Sequence, residues 1–298
     1  MESMRERFVA TATELLDSDP RITVVLADIT ASQFAPAAAR HPGRVINVGI
    51  REQLLIGVTG GLALAGLRPI AHTFPSFLVE RPFEQVKLDL GHQDVGAILA
   101  SYGGSYDMST EGRTHQSPGD VALLDTLDGW TIHIPGHPDE AELLLRDSAA
   151  RDDRVYLRLS AQSNAEPQSV VPGRFRPVRN GQRGTVIAIG PMLQPVLDAV
   201  ADLDLSVLYA ATVRPFDAGA VRHAVRATGH ADIVLVEPYL AGTSNREVDE
   251  ALLDLPHRVL GLGVGRAELR RYGTAAEHAA AHGLDPVSLR ERITGFLR

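Results

Sequence analysis

The 298-residue sequence contains no cysteine, one tryptophan and one lysine, Lys87. The lack of cysteine excludes disulfide bonds, thiolate metal sites and cysteine nucleophiles. No run of 18 apolar residues occurs, so no membrane-spanning helix is expected. The first eight residues, MESMRERF, are charged and lack the apolar core of a signal peptide, so we expect a cytoplasmic protein.

Basic residues are fewer than acidic ones, 29 against 37. The net charge is −8, and the 29 basic residues form no clustered run, which argues against nucleic acid or an anionic membrane surface as the main partner. The composition, 44% hydrophobic and 22% charged, is that of a soluble globular protein. The chain is long enough for two domains, each with its own core.

Apolar runs alternate with amphipathic helical patterns along residues 1–163, which we predict to form the first domain. Strands are expected at 22–27, 44–48, 69–72, 95–100, 131–134 and 155–159, and helices near 4–17, 51–65, 79–90, 118–127 and 138–150. Continuous apolar strands separated by helices indicate a parallel sheet that is covered on both faces.

A polar stretch with three prolines follows, and we predict residues 164–183 to be a linker. The alternation then resumes in a second predicted domain, residues 184–298. Its strands are expected at 185–189, 205–209, 232–236 and 258–262, and its helices at 192–203, 217–227, 244–254 and 286–297. The predicted fold class is α/β, with two doubly wound domains in tandem.

Several polar and aromatic residues lie where these strands end, the edge at which parallel sheets bind ligands. Glu52 begins a helix within apolar surroundings, which favours a partly desolvated carboxylate able to exchange protons. The loop 102–116 is rich in charged residues, and Phe74 and Phe77 follow another strand. Each feature alone also fits an ordinary helix start, surface loop or core. The phosphate-binding pattern GxxxxGK[ST] is absent, and the glycines of the 51–66 helix fit close packing better than a phosphate loop.

Together the motifs are more specific. GIREQ (49–53), HTFPSF (72–77) and EGRTHQ (111–116), in this order and spacing, closely resemble the pyrimidine-binding domain of thiamine-diphosphate enzymes of the transketolase family. ADITAS (27–32) fits the same pattern. The second predicted domain resembles the C-terminal domain of that family, so the resemblance covers nearly the whole chain.

The resemblance implies roles for individual residues. Glu52 takes the position of the glutamate that hydrogen-bonds the aminopyrimidine and activates the cofactor, and His115 that of a histidine near the reacting carbonyl. The matching cofactor-binding residues are Phe77, Phe74 and Asp28, and the matching substrate-binding residues are Arg5, Ser32, Glu111 and Arg113. No metal ligand is implied for this chain.

One part of the family pattern is missing. Full-length members carry a further domain, marked by G-D-G, that holds the diphosphate through Mg²⁺, and no G-D-G occurs here. The resemblance therefore implies one half of a split transketolase that uses thiamine diphosphate and Mg²⁺. The metal and the diphosphate would be held by a separate N-terminal-type subunit, in an α₂β₂ assembly or with a homodimer of this chain. The expected reaction is ketol transfer from a ketose-type donor to an aldehyde. A 2-oxo acid dehydrogenase β subunit, a deoxyxylulose-phosphate-synthase-like enzyme and a non-catalytic regulatory subunit remain alternatives.

The chain also departs from the family where a sugar phosphate would bind. Gly103 stands where a histidine is expected and Ala161 where an arginine is expected. Losing charge-assisted hydrogen bonds to phosphate costs about 1.5–3 kcal/mol each. We therefore expect a substrate that is unphosphorylated or carries its anionic group elsewhere, with Arg113 as a candidate relocated contact.

Overall fold

Two β-sheets organise the chain in a computed structural model, which describes residues 2–298. The first sheet has the strand order β2-β1-β3-β4-β6-β5-β10, and its first six strands in chain order run parallel. The strands are β1 (Ile22–Leu26), β2 (Val45–Asn47), β3 (Arg68–Thr73), β4 (Ile98–Tyr102), β5 (Trp130–His133), β6 (Arg154–Leu159) and β10 (Thr212–Arg214). The central strands β1, β3 and β4 are buried along their whole length, as their continuous apolar runs predict.

Helices cover both faces of this sheet. They are α1 (Met4–Ser18), α2 (Ala31–Arg40), α3 (Glu52–Leu64), α4 (Phe83–Gln85), α5 (Asp120–Leu124) and α6 (Pro138–Ala149). The helix expected over 79–90 is divided into π-helical turns at Ser76–Glu80 and Val86–His92, on either side of α4. Pro82 accounts for the break, because it has no N–H with which to continue a helix.

The second sheet has the order β12-β11-β8-β9-β7. Its strands are β7 (Arg176–Arg179), β8 (Thr185–Ile189), β9 (Ser206–Ala210), β11 (Asp232–Leu240) and β12 (Arg258–Val264), and its helices are α7 (Leu193–Ala199), α8 (Ala218–Thr228), α9 (Asn245–Ala251), α10 (Ala275–His282) and α11 (Pro286–Phe296). The α/β class and the tandem arrangement are thus as predicted.

Part of the expected linker, 164–183, is ordered as a strand. β7 pairs antiparallel with β9 at the edge of the second sheet, where its Pro177 is tolerated because an edge strand needs fewer N–H donors. The short strand β10 was also not expected. It lies beyond the linker in sequence yet pairs antiparallel with β5 of the first sheet, so the two halves share a hydrogen-bonded connection.

Two helices were not predicted from the sequence, because they lack a long apolar stripe. α2 is rich in alanine, contains Pro36 and buries only Phe34 and Ala37. α10 buries only His278, and the capping box of Thr274 and Glu277 fixes its start. None of the helices within residues 2–298 is long and apolar enough to cross a membrane.

Candidate functional site

The winding of the first sheet creates a crevice at its carboxyl edge. From β1 the chain moves outward to β2, then returns to β3 on the other side of β1. In doubly wound sheets, such a reversal of strand order is the usual place for a ligand. Asp28 follows β1, Glu52 follows β2, Phe74 follows β3 and the loop 103–116 follows β4, so four of the predicted segments meet at this edge.

Glu52 is buried at the first turn of α3. Gly49 makes the turn after β2 with a φ of +70°, which glycine adopts without strain. The Glu52 side chain is only 2% exposed, and Arg81 Nη1 donates a hydrogen bond of 2.6 Å to its Oε2 atom. The helix start stabilises the carboxylate further through the macrodipole. The predicted burial is therefore present, with a counter-ion that the sequence analysis did not identify.

Three aromatic rings pack against one another, and one of them, Phe77, contacts the counter-ion of this carboxylate. The Phe74 and Phe77 ring centres are 6.0 Å apart, and the His115 ring lies 5.2 Å from Phe74 and 5.0 Å from Phe77, each pair in an edge-to-face arrangement. The guanidinium carbon of Arg81 lies 4.1 Å from the centre of the Phe77 ring. The structure thus brings Glu52, Phe77, Phe74 and His115 together in one site.

The other predicted residues lie around this group. The backbone N–H of Asp28 donates to Asn47 Oδ1 at 3.0 Å, and Asp28 has a φ of +71°. The Arg5 guanidinium lies 4.8 Å from the centre of the Tyr102 ring, and its buried Nε atom has no hydrogen-bond partner within residues 2–298. Ser32, in the first turn of α2, and Glu111, in a short 3₁₀ turn, are exposed.

Arg113, predicted to bind substrate, is exposed in a short 3₁₀ turn, Arg113–His115. Its Nη1 atom donates to the Gln116 carbonyl oxygen at 3.0 Å. Together with Glu80 and Arg266 it lines a cleft of about 250 Å³ between the two halves of the chain.

Sequence reasoning missed two polar groups near the site, the half-buried Asp107 and the buried His72. Asp107 accepts hydrogen bonds from Ser160 Oγ (2.7 Å), the Ala161 N–H (2.8 Å) and Gln162 Nε2 (2.8 Å). Burial raises the pKa of Asp107, while these hydrogen bonds oppose the rise. Only the position of Asp107 in the glycine-rich loop after a buried strand hinted at such a role.

The second group is His72, on β3. Burial lowers the pKa of His72 to about 4, so the ring is neutral near pH 7. Its Nδ1–H donates to the Ala100 carbonyl at 2.8 Å, which leaves Nε2 to accept from Thr30 Oγ1 at 3.0 Å. This contact holds the turn after β1, where Thr30 has a φ of +65°.

The chemistry of the site fits an aminopyrimidine. Such a ring needs a carboxylate shielded from water next to its basic ring nitrogen, and an aromatic face on which to stack. Glu52 and Phe77 supply these two features side by side. Their shared neighbour, Arg81, is a planar cation that already makes both kinds of contact.

Comparison with known proteins agrees with this geometry. Residues 2–166 match the model of the transketolase pyrimidine-binding domain. The chain belongs to the transketolase family. Its relatives among split transketolases indicate that it corresponds to a C-terminal-half subunit of that family.

An uncharacterized 33.6 kDa protein in the fasciation locus of Rhodococcoides fascians is 53% identical, with 97% of this chain and 93% of that protein aligned. The 6-deoxy-6-sulfo-D-fructose transketolase subunit of a Clostridium species is 29% identical over 76% of this chain and 73% of its own length. A solved structure described as a split gene transketolase, an inactive β4 tetramer, superposes with a TM-score of 0.84 at 25% identity, covering 99% of this chain and 98% of its own.

Deoxyxylulose-phosphate synthases also match this chain, but over less than half of their own length. The 1-deoxy-D-xylulose-5-phosphate synthase of Desulforudis audaxviator is 30% identical over 84% of this chain, but the match covers only 41% of that enzyme. Subunits of split transketolases therefore match this chain over a larger part of their own length.

Proposed function

We propose that this chain is the catalytic C-terminal-half subunit of a split transketolase, which transfers a ketol unit from a ketose-type donor to an aldehyde. The observation that carries the proposal is the buried Glu52 carboxylate beside the Phe77 ring, at the crevice of the first sheet. When bound, thiamine diphosphate supplies the carbon nucleophile on which such a transfer depends.

In this proposal Glu52 holds a proton between its carboxylate and the ring nitrogen of the aminopyrimidine. The 2% exposure of its side chain keeps water from competing for that hydrogen bond. Phe77 provides the stacking face, and Phe74 fixes the position of Phe77 by edge-to-face contact. Asp28 lies at the cofactor end of the crevice.

His115 and Arg5 act on the substrate in this proposal. The His115 ring packs against both phenylalanines, so its polar edge is fixed relative to the stacking face. The Arg5 guanidinium lies over Tyr102, and its buried Nε donor has no hydrogen-bond partner within residues 2–298. In this proposal Arg5 orients a substrate oxygen. Ser32 and Glu111 reach the substrate hydroxyls from the rim.

We further propose that Mg²⁺ and the diphosphate are held by a separate subunit. Exposed apolar side chains around the start of α3 support a partner at this place: Ile50 is 70% exposed and Leu54 is 46% exposed. Such a subunit would complete the site from the open side of the crevice, in an α₂β₂ assembly or on a homodimer of this chain.

The proposed substrate carries no phosphate at its far end. The hydroxyl of Ser160, the N–H of Ala161 and the amide of Gln162 could all have bound a phosphate, but each donates to Asp107. A carboxylate at this point also repels an anion. In this proposal Arg113 supports its own loop, where its Nη1 atom donates to the Gln116 carbonyl oxygen.

The test is made with the purified chain and with the complex that it forms with the subunit carrying G-D-G. We expect saturable binding of thiamine diphosphate and Mg²⁺ only to the complex. In the complex, Glu52→Gln keeps the shape of the side chain, but its amide cannot exchange a proton with the ring nitrogen. Proton–deuterium exchange at the cofactor C2 atom, followed by NMR, should therefore slow by a factor of about 10²–10⁴. Tight Mg²⁺-dependent binding to the isolated chain, or unchanged exchange in the variant, contradicts the proposal.

A deoxyxylulose-phosphate-synthase-like reaction is the second candidate, supported by the similarity to that group. The two candidates differ in the donor. A 2-oxo acid donor must lose CO₂ before its remaining carbons are transferred, whereas a ketose donor releases none. Measuring CO₂ release with each donor class in the assembled complex distinguishes them.

A further inference from the structure

Arg81 makes both of the contacts that the Glu52–Phe77 site offers to an aminopyrimidine. Its Nη1 atom donates to Glu52 Oε2 at 2.6 Å, and its guanidinium carbon lies 4.1 Å from the centre of the Phe77 ring. A guanidinium is planar, carries hydrogen-bond donors in its plane and stacks on aromatic faces. In shape and polarity it therefore imitates the ring that the site is suited to hold.

The two occupants compete for the same place. A ring that stacks on this face of Phe77 takes the position of the guanidinium, because a separation of 4.1 Å between the guanidinium carbon and the phenyl ring centre leaves no room for a second planar group between them. Two further neighbours, His115 and Phe74, pack edge-to-face against Phe77, with ring centres at 5.0 and 6.0 Å. The guanidinium must therefore move before an aminopyrimidine can enter.

The backbone places Arg81 at the site by a local irregularity. The turn Ser76–Glu80 is π-helical, and the Arg81 N–H donates to the carbonyl of Ser76, five residues earlier, at 3.1 Å. The extra residue in this turn changes the position of Arg81 around the helix axis, and such insertions in helices are frequent at functional sites. Gln53, next to Glu52, also reaches the Arg81 carbonyl, with Nε2 at 3.4 Å.

Arg81 is also able to leave. Its side chain is 39% exposed, whereas that of Glu52 is 2% exposed, so the guanidinium can move into solvent while the carboxylate stays in place. Arginine side chains are long and flexible, so the guanidinium can reach solvent without a change in the backbone. The pair is thus suited to protect the buried carboxylate without sealing the site.

We propose that Arg81 is a displaceable occupant of the pyrimidine site. In the free chain it neutralises Glu52 and covers Phe77, and cofactor entry displaces it from both. This inference rests on the proposed function, because it takes thiamine diphosphate as the incoming group. Occupation by Arg81 lowers the apparent affinity for the cofactor by the fraction of time that the site is closed.

The experiment has two parts, and Arg51→Met is the matched control. Arg51 is exposed and directly precedes Glu52, so its replacement removes the same charge nearby. In the isolated chain, Arg81→Met should lower the midpoint of thermal unfolding by several degrees more than Arg51→Met, and by much less in a Glu52→Gln background. In the complex with the G-D-G subunit, titration with thiamine diphosphate and Mg²⁺, followed by calorimetry, should give about a tenfold lower Kd for Arg81→Met than for wild type, as for a site that is open about a tenth of the time.

The possible outcomes distinguish a failure of the proposed function from a failure of the displacement of Arg81. If the wild-type complex shows no saturable cofactor binding, the proposed function is wrong and this inference fails with it. If wild type binds but Arg81→Met binds equally or more weakly, only the displacement is wrong, because Arg81 then plays no part or stays as a cofactor contact. Equal unfolding midpoints for Arg81→Met and Arg51→Met would show that the ion pair between Arg81 and Glu52 does not stabilise the isolated chain.

Discussion

Replacing Arg158 on β6 tests how the loop that carries His115 is held in place. The Arg158 side chain is 1% exposed, and its Nε donates to Asp120 Oδ2 at 2.6 Å. Its Nη2 donates to Ser105 Oγ at 2.7 Å. Ser105 and Ser117 form an antiparallel bridge that closes this loop at its base. The ion pair therefore lies under both ends of the loop.

The expected cost of Arg158→Met depends on the contacts that Asp120 keeps. Asp120 is completely buried, and it would keep the Tyr156 hydroxyl at 2.6 Å but lose its counter-ion. Removing one partner of a buried ion pair costs about 3–5 kcal/mol, because the other charge stays desolvated. Arg154→Met is the control on the same strand. Arg154 pairs with Asp94, which is 91% exposed, so its loss should cost less than about 1 kcal/mol.

Urea unfolding followed by circular dichroism gives the free energies of unfolding of Arg158→Met, Arg154→Met, Asp120→Leu and the double variant Arg158→Met/Asp120→Leu. The double variant removes the isolated charge and should recover part of the loss. Hydrogen exchange of the backbone amides of 105–117 should be faster in Arg158→Met than in Arg154→Met. If Arg158→Met differs from the control by less than about 1 kcal/mol, or if the double variant is less stable by the sum of the single losses, the buried pair does not act in this way.

Three further outcomes are expected. Burial raises the pKa of Glu237 from 4.5 to about 7, so the stability due to its protonated form is complete below pH 4.5 and is lost as the pH rises through 7. The free energy of unfolding of wild type relative to Glu237→Gln should therefore fall between pH 5 and 8 and then level off. A difference that does not change with pH would contradict this. Gly60→Ala places a Cβ 2.6 Å from the Asp89 carbonyl oxygen and should lower the free energy of unfolding by about 1–3 kcal/mol. Gly61→Ala, with open space around the new Cβ, should be neutral or stabilising. Urea unfolding of the isolated chain measures both, and similar losses of stability in the two variants would refute the close contact at Gly60. In competition assays of the assembled complex, a ketose without a terminal phosphate should match or exceed its phosphorylated counterpart in kcat/KM, and a hundredfold advantage of the phosphorylated sugar would show that Arg5, Ser32 and Arg113 suffice as a phosphate site.

The strands were predictable where burial alone determines them. β1 and β8 were expected within a residue of their observed ends, because both consist of apolar residues that are buried on both faces of a sheet. β11 continues to Leu240, four residues past the expected end. Glu237 and Pro238 resemble the end of a strand in sequence. The extension is possible because the Glu237 carboxylate accepts the N–H groups of Gly242 and Ser244, at 2.8 and 2.9 Å, and so remains buried.

Some residues of the site could be predicted from sequence motifs, and others only from the folded structure. Glu52, Phe77 and His115 stand in short sequence motifs, and the structure brings them together at one sheet edge. Arg81 is four residues beyond Phe77 in the same stretch, but nothing in that stretch indicates that it pairs with Glu52, 29 residues earlier. The pairing depends on the π-helical turn at Ser76–Glu80, and one residue more or fewer there would rotate Arg81 by about 100° around the helix axis, away from Glu52. A motif search finds the groups that contact a ligand, whereas the residue that occupies their site without the ligand is found only from the packing of the free chain.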